Sequence, residues 1–195
     1  MPRTGMEPIR RKALVDAAIV EVGAHGAHAV TVGAIARRAG VSSALAHHYF
    51  GAKSDLLTAA MRRILGDLGQ AVRAELARAG TPEERVRAVI RASFAAPNFR
   101  DEVISAWLNF YVSALSEAQA ARLLKVYHRR LHSTLAHALR PRFGAGAHQA
   151  AETLAALIDG IYIRAALGDG GPEPEAATAL CLGVYDAMIG EARHG

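Results

Sequence analysis

Apolar residues recur along this chain at intervals of three and four, the spacing that places them on one face of an α-helix. Alanine and leucine are abundant, runs of β-branched residues are short, and no long segment alternates with the period of two that a strand requires. Glycine and proline divide the pattern into separate stretches. It predicts an all-α fold of about nine helices, near residues 8–25, 33–39, 43–49, 54–79, 82–95, 99–115, 117–140, 147–167 and 173–192.

Several predicted helix ends carry residues that suit them. A hydroxyl that can accept a hydrogen bond from a free amide of the first turn begins three of the helices, at Thr31, Ser54 and Thr81. Pro82 and Glu84 extend the last of these into a capping box with proline in the first turn. Gly40 is expected to end the second helix in a left-handed conformation, and Pro141 to end the seventh.

Positive charge is concentrated near the N-terminus. The chain carries a formal net charge of +5, and residues 1–63 account for all of it, with nine basic and four acidic side chains. The remaining residues contain equal numbers of both signs. A positive segment on a neutral remainder suggests a polyanionic partner such as nucleic acid, whereas the alternative is a solvated basic surface.

Residues 31–50 lie within this basic segment and predict two short helices joined by a turn at Gly40. This is the geometry of a helix-turn-helix, whose second helix lies in the major groove of DNA. Apolar positions such as Ile35 and Leu45 face inward. The outer face keeps polar side chains where bases and phosphates would lie, namely Ser42, Ser43, His47 and His48. The alternative is an ordinary helical hairpin in a core, which does not need a polar outer face.

The same stretch resembles the N-terminal part of the TetR family of repressors. The resemblance rests on Ile35-Ala36-x-x-Ala39-Gly40-Val41-Ser42 followed by His48-Tyr49-Phe50-x-x-Lys53-x-x-Leu56. It implies a DNA-binding head, residues 1–53, and a ligand-binding and dimerisation body, residues 54–195, whose first helix (54–79) connects the two. The partners it implies are a second copy of the chain, a double-stranded DNA operator and a small-molecule inducer.

The resemblance also assigns roles within the head, position by position. It implies phosphate contacts from Thr31, Tyr49 and Lys53, and it places Ser43, Ala44 and His47 near base edges. Two histidines in the second helix, rather than arginine or asparagine, leave the base that is read open.

Motifs along the whole chain resemble those of one branch of the family. This branch comprises the repressors of the genes whose products convert choline to glycine betaine. These motifs are Met6-x-x-Ile-Arg-Arg-x-x-Leu-x-Asp16-Ala, Ala106-Trp107-Leu108-x-Phe110, Arg129-Arg130-Leu131 and Ala155-Ala156-Leu157-Ile158-Asp159-Gly160-x-x-x-Arg164-Ala165-Ala166-Leu167. The resemblance implies choline or a related quaternary ammonium as inducer. The alternative is a TetR-type regulator of another pathway or efflux pump, with a different apolar or cationic ligand.

A candidate inducer site follows from the aromatic residues of the body. Trp107, Phe110 and Tyr111 share one face of the sixth helix, and Asp159 and Tyr162 are neighbours on the eighth, in an otherwise apolar stretch. A quaternary ammonium cannot donate a hydrogen bond, so its site uses aromatic faces and a carboxylate. The alternative is an aromatic core, in which Asp159 pairs with Arg164 or another internal base.

Other function classes have weaker support in the sequence. No signal-peptide segment and no run of about 18 apolar residues is present, and the single cysteine suits a reducing cytoplasm. No nucleophile elbow, phosphate loop, metal box or carboxylate pair points to an enzyme, and no cofactor is expected. His128 and His132 could grip a metal but lack a further ligand, so a solvated surface is expected there. A scaffold that binds only protein remains an alternative.

The last two helices predict a homodimer. Their apolar residues form long faces that a two-fold partner would cover as a four-helix bundle. The residues expected to be exposed in this way are Leu154, Leu157, Ile158, Ile161, Leu180, Val184 and Met188.

Overall fold

The computed structural model describes residues 5–168 and 173–191, which form nine α-helices, one 3-10 turn and no strand. The prediction of an all-α fold is confirmed. The helices are α1 Met6–Ala29, α2 Val32–Arg38, α3 Ser43–Phe50, α4 Lys53–Leu76, α5 Pro82–Phe94, α6 Asp101–Ala114, α7 Ala118–Phe143, α8 Ala147–Leu167 and α9 Pro174–Glu191, with the 3-10 turn at Gly144–Gly146.

The helix ends with local capping signals are confirmed. The Thr31 hydroxyl accepts a hydrogen bond from the Ala34 amide at 3.1 Å. Thr81 and Glu84 form the reciprocal capping box, each side chain accepting from the other residue's backbone amide at 3.1 Å. Gly40 adopts a φ of +67°, and this left-handed turn lets the amide of Val41 donate back into α2.

Three other predicted ends are wrong. α4 begins at Lys53, and the Asp55 carboxylate rather than the Ser54 hydroxyl accepts from the first free amide, that of Ala52. The same helix ends at Leu76, three residues earlier than the predicted 79. α7 continues through Pro141 to Phe143, because a proline in a last turn removes only one backbone hydrogen bond before Gly144 ends the helix at a φ of +51°.

α4 is the helix around which the fold is arranged. It packs against α1 and α3 and also against α5, α6 and α7. α1 also packs along α6. The head therefore contacts both α4 and α6 of the body. Gly23 of α1 permits this close packing, because a Cβ there would lie 2.5 Å from Cα of Glu102 in α6.

Beyond α4, the body consists of α5 to α9. These helices pack around a core that includes Trp107, Phe94, Leu135 and Ile158. α8 packs against α6, α7 and α9. This packing corrects the expected exposure of α8, since Leu154, Ile158 and Ile161 are buried within the chain, while Leu157, Val184 and Met188 are half-buried. The large apolar side chains that α8 and α9 expose are Ile163, Leu167 and Leu180. Among the described residues, no helix has the length and hydropathy needed to cross a bilayer.

Candidate functional site

The helix-turn-helix consists of α2 and α3, which pack on each other through small and aliphatic side chains. Ile35, Ala36 and Ala46 are buried at this contact. The Ser42 hydroxyl caps α3 by accepting from the amide of Leu45 at 3.2 Å. The predicted outer face is present, since five residues are exposed along it: Ser42, Ser43, Ala44, His47 and His48.

Thr31 lies exposed at the start of α2. Its oxygen is occupied as the helix cap, but a hydroxyl also has one hydrogen to donate. Thr31 therefore combines capping with an available donor, which is compatible with the predicted phosphate contact.

His47 is held in one orientation by the end of its own helix. Its Nδ1 lies 2.9 Å from the carbonyl oxygen of Gly51, and a carbonyl can only accept. Nδ1 therefore carries the hydrogen, and in the neutral ring Nε2 is left as an acceptor. His47 consequently presents an acceptor on the exposed face of α3.

Tyr49 is half-buried and lies beneath a cation. The Arg11 guanidinium lies 5.0 Å from the centroid of the Tyr49 ring, and its Nη1 donates to the Tyr49 carbonyl at 2.9 Å. Arg11 also contacts the Phe50 ring and is paired with Glu7. These contacts fasten α1 to the end of α3 and put a positive charge beside Tyr49.

Lys53 has backbone partners that were not predicted from the sequence. Its ammonium nitrogen lies 2.9, 3.2 and 2.9 Å from the carbonyl oxygens of Ala27, His28 and Val30. An ammonium has three hydrogens, and these carbonyls account for all of them. Lys53 thereby closes the end of α1 after its break at Gly26, and the predicted phosphate contact would have to replace one of these hydrogen bonds.

The predicted aromatic residues of the body meet at Trp107, which is buried. The centroid of its ring lies 5.7 Å from that of Tyr162, 5.8 Å from Tyr111 and 6.1 Å from Phe110. Tyr127 of α7 approaches Trp107 more closely still, with centroids 4.7 Å apart. Rings at this separation are in direct contact. We call Trp107, Tyr111, Tyr127 and Asp159 the aromatic–carboxylate cluster.

Asp159 lies at the edge of this cluster, with hydrogen-bond donors on both oxygens. The hydroxyl of Tyr127 donates to Oδ1 at 2.8 Å, and Nε2 of His128 lies 3.2 Å from Oδ2. Burial raises the pKa of Asp159 above its ordinary value, while hydrogen bonds from Tyr127 and Tyr111 and the nearby His128 act in the opposite direction. Within the part of the chain that the structure describes, its direct partners are thus Tyr127 and His128, and the exposed Arg164 is not one of them.

Two predicted ligand residues have other contacts. The Tyr162 hydroxyl is buried and donates to the carbonyl of Ser93 at 2.5 Å, and its ring stacks on Phe94 with centroids 5.9 Å apart. These contacts tie α8 to the end of α5 and make Tyr162 part of the core. Phe110 is also buried, and it lines a small cavity where α6 meets α1 and α4, beside Ile19 and Met61.

α6 also carries a polar link to the head. The Asn109 side-chain oxygen accepts from the amide of Ala27 at 3.1 Å, and its nitrogen donates to the Ser105 carbonyl at 2.7 Å. Asn109 lies between Trp107 and Tyr111 in the sequence, so the helix that presents the aromatic rings also holds the end of α1.

Two family models match the chain. That of the bacterial regulatory proteins of the tetR family matches residues 14–60, and that of the BetI-type transcriptional repressor C-terminal domain matches residues 82–190. The chain belongs to the BetI-type branch of the TetR family. It is therefore a DNA-binding transcriptional regulator, as the sequence motifs predicted.

Curated relatives support the assignment to the BetI-type branch over nearly the whole chain. The HTH-type transcriptional regulator BetI of Brucella melitensis is 50% identical over 181 residues, covering 92% of this chain and 91% of that protein. The regulator BetI of Rhizobium meliloti is 51% identical over 190 residues, covering 97% and 94%. The similarity to BetI regulators thus covers both the head and the body.

Solved structures share the fold. A protein from Pseudomonas aeruginosa PAO1, described as a transcriptional regulator, has a TM-score of 0.82 at 25% identity and covers 100% of this chain and 98% of that one. A regulator from Saccharomonospora viridis in complex with choline has a TM-score of 0.82 at 24% identity and covers 92% and 97%.

Four residues of the two candidate sites were not predicted from the sequence: Arg11, Asn109, Tyr127 and His128. An acid in an apolar stretch needs a hydrogen-bond donor, and this need could have indicated Tyr127 and His128 as partners of Asp159. Both carry donors and lie on a neighbouring helix. Arg11 lay within a basic segment but carried no signal for a ring contact, and nothing local distinguished Asn109.

Proposed function

We propose that this repressor is a homodimer that controls choline-to-glycine-betaine genes and leaves its operator when choline or a related quaternary ammonium binds the body. It acts in the cytoplasm and catalyses no reaction. The observation that carries the proposal is Asp159, a carboxylate that accepts a hydrogen bond from Tyr127, whose ring in turn contacts Trp107. The choline bound to the Saccharomonospora viridis regulator and the names of the curated relatives support it.

The division of labour follows the two parts of the chain. We assign DNA binding to the head, residues 1–53, and ligand binding and dimerisation to the body, residues 54–195, with α4 connecting them. In the head, Ser43, Ala44 and His47 face base edges, Thr31 and Tyr49 contact phosphates, and Ser42 and His48 flank them. The exposed Ile163, Leu167 and Leu180 support pairing of α8 and α9 with those of a second copy.

The chemistry of the aromatic–carboxylate cluster suits a trimethylammonium group. The ligand has no hydrogen to donate, so attraction comes from aromatic faces and from the negative charge of Asp159. Because the rings of Trp107 and Tyr127 are in contact, the ligand must separate them, and this moves α6 relative to α7. Ligand binding then favours arrangements of the two heads that fit an operator less well.

The sole tryptophan offers a direct experiment, since Trp107 fluorescence reports on the cluster alone. Choline is titrated while tryptophan emission and the anisotropy of a labelled operator are measured on the same sample. We expect emission to change and operator binding to fall over the same choline range. Retention of operator binding at millimolar choline and betaine aldehyde would contradict the proposed inducer.

Matched variants separate the ligand site from a general effect. Asp159→Asn removes the charge of the cluster, whereas Asp186→Asn removes an exposed acid on α9 that pairs with Arg87. We expect the first variant to bind operator but not respond to choline, and the second to respond to choline as the parent does. Equal responses of the two variants would remove Asp159 from the site.

A further inference from the structure

A groove between α4, α5 and α7 encloses about 670 Å³, a volume in the range of small-molecule sites. Its walls are largely aliphatic, including Leu65, Leu68, Val72 and Leu76 of α4 and Leu123 and Leu131 of α7. Tyr127 forms part of the same wall. The groove thus offers an apolar surface long enough for an extended hydrocarbon.

Three arginines line this apolar groove: Arg62 and Arg73 of α4 and Arg130 of α7. Their side chains have no ion-pair or hydrogen-bond partner within the described part of the chain. All three are exposed, whereas Arg63 of the same helix α4 pairs with Asp67, and Arg78 pairs with Glu75. None of the described residues that line the groove is acidic, so its positive charge is not neutralised by them.

Two glycines keep the groove open. Gly66 and Gly69 lie inside α4 and line the groove, although glycine destabilises a helix relative to alanine. A Cβ at Gly66 would meet no atom within 4 Å, so no neighbouring residue requires glycine there. At Gly69 the nearest atom would be Nη1 of Arg73, at 3.4 Å. Larger side chains at these positions would enter the groove itself.

We propose that the groove binds an amphipathic anion, an alkyl chain that ends in a carboxylate or phosphate group. The leucines contact the chain, and the unpaired guanidinium groups bind the headgroup, for which arginine is well suited. Arg62 and Arg73 are about 16 Å apart along the helix, so the groove accepts an extended chain between its charged ends. Three guanidinium groups repel a quaternary ammonium, so this site is distinct from the proposed choline site.

The two sites share one residue. Tyr127 lines the groove, while its hydroxyl holds Asp159 in the aromatic–carboxylate cluster. An anion that displaces the Tyr127 ring therefore changes the affinity of the cluster for its ligand, and the effect is reciprocal. This coupling would let the regulator respond to two ligands of opposite charge.

The probe is dodecanoate, used below its micelle concentration and measured by equilibrium dialysis on the full chain. Dodecyl phosphate tests the other headgroup, and dodecanol is the uncharged match. We expect both anions to bind and dodecanol to bind about tenfold or more weakly, because it lacks the charge that the arginines recognise. Equal binding of dodecanol, or no binding of either anion, overturns the proposal.

Three variants locate the binding. Gly66→Leu fills the groove with a good helix former, so we expect it to fold and lose dodecanoate. Arg130→Gln is expected to weaken dodecanoate about tenfold, whereas Arg78→Gln, outside the groove, leaves it unchanged. Equal binding by all three variants overturns the proposal. A changed oligomeric state of Gly66→Leu with unchanged dodecanoate binding would make the groove an interface between copies and also overturn it.

Discussion

The side-chain oxygen of Asn109 lies 3.1 Å from the backbone amide of Ala27 and joins the centre of α6 to the end of α1. The carbonyl of the same residue, Ala27, accepts from Lys53 at the start of α4. One peptide segment is therefore held by α6 on one side and by α4 on the other. Since Trp107 lies on α6, a ligand that displaced this helix, as proposed above, would also move the segment that precedes α2.

Removal of the hydrogen bond between Asn109 and Ala27 should uncouple the proposed choline site from operator binding. We expect Asn109→Ala to bind choline with an affinity within about twofold of the parent, because the side chain is not in the cluster. The amount of operator released by choline should fall, since α6 no longer pulls directly on Ala27. Trp107 emission measures the first quantity and operator anisotropy the second. Ser113→Ala, on the same helix, is the matched control, and equal coupling in the two variants would contradict this route.

Replacement of Lys53 distinguishes a role in closing the end of α1 from a direct contact with a DNA phosphate. We expect Lys53→Met to lower the free energy of unfolding by about 1–3 kcal/mol, because three carbonyls at the end of α1 lose a charged donor. Thermal and urea unfolding measure this loss. The salt dependence of operator binding should keep its slope, whereas loss of a phosphate contact would reduce it by about one. A reduced slope with unchanged stability would restore the phosphate contact.

The head could be predicted well because its signals are local. The cap at Thr31, the left-handed turn at Gly40 and the spacing of Ile35 and Ala36 each depend on residues within one or two turns. The role of Lys53 could not be predicted in this way. Its partners lie 23 to 26 residues earlier, and they are free to accept because the chain departs from helical geometry at Gly26.

The residues of the proposed ligand site could be brought together from the sequence only in part, for the same reason. Trp107 and Tyr111 are one turn apart on α6, so helical spacing alone places them together. Asp159 joins them only through the packing of α8 against α6 and α7, and its partner Tyr127 is 32 residues away. Spacing also predicted that Tyr162 would face the ligand, but its hydroxyl is drawn to a free carbonyl at the end of α5.

His47 should read a base that carries an amino group. Its Nδ1 hydrogen is directed at Gly51, so the neutral ring presents an acceptor to the groove. Adenine N6 and cytosine N4 offer donors in the major groove. We expect His47→Ala to lose preference at one operator position by about 1–3 kcal/mol, and His47→Gln to retain part of it. Selection from a randomised operator measures this preference, and an unchanged preference in His47→Ala at every operator position would contradict the proposed contact.

Asp159 should make choline binding and stability depend on pH in opposite ways. Burial raises its pKa in the folded chain, so the folded state takes up a proton at a higher pH than the unfolded state does. Stability therefore increases as pH falls through this raised pKa, and the gain is complete below the ordinary value for aspartate. Choline affinity falls over the same interval, because the neutral acid no longer attracts the cation.

The variant Asp159→Asn tests the pH dependence of both stability and choline affinity. We expect Asp159→Asn to unfold at a higher temperature than the parent at pH 7.5 and to bind choline about tenfold or more weakly at that pH, with an affinity that no longer changes on acidification. The difference in unfolding temperature should shrink as pH is lowered, while Asp186→Asn serves as the exposed control. If the parent instead loses stability relative to Asp159→Asn on acidification, the carboxylate is stabilised in the fold and the sign of its pKa shift is reversed.

Gly23 should limit how closely the head and body approach. A Cβ at this position would lie 2.5 Å from Cα of Glu102, so Gly23→Ala must move α1 away from α6. We expect a loss of about 1–3 kcal/mol in unfolding free energy. The Asn109–Ala27 hydrogen bond spans the same contact, so Gly23→Ala should also release less operator with choline.

The glycine at position 66 provides the comparison for Gly23→Ala. Gly66→Ala introduces a Cβ that meets no atom within 4 Å, and it should raise stability by about 1 kcal/mol through helix propensity alone. Urea unfolding of the two variants, read with the operator assay, separates a steric effect from a general effect of replacing glycine. Equal stabilisation of the two would mean that α1 and α6 can separate at no cost, and the contact at Gly23 would then not transmit the response.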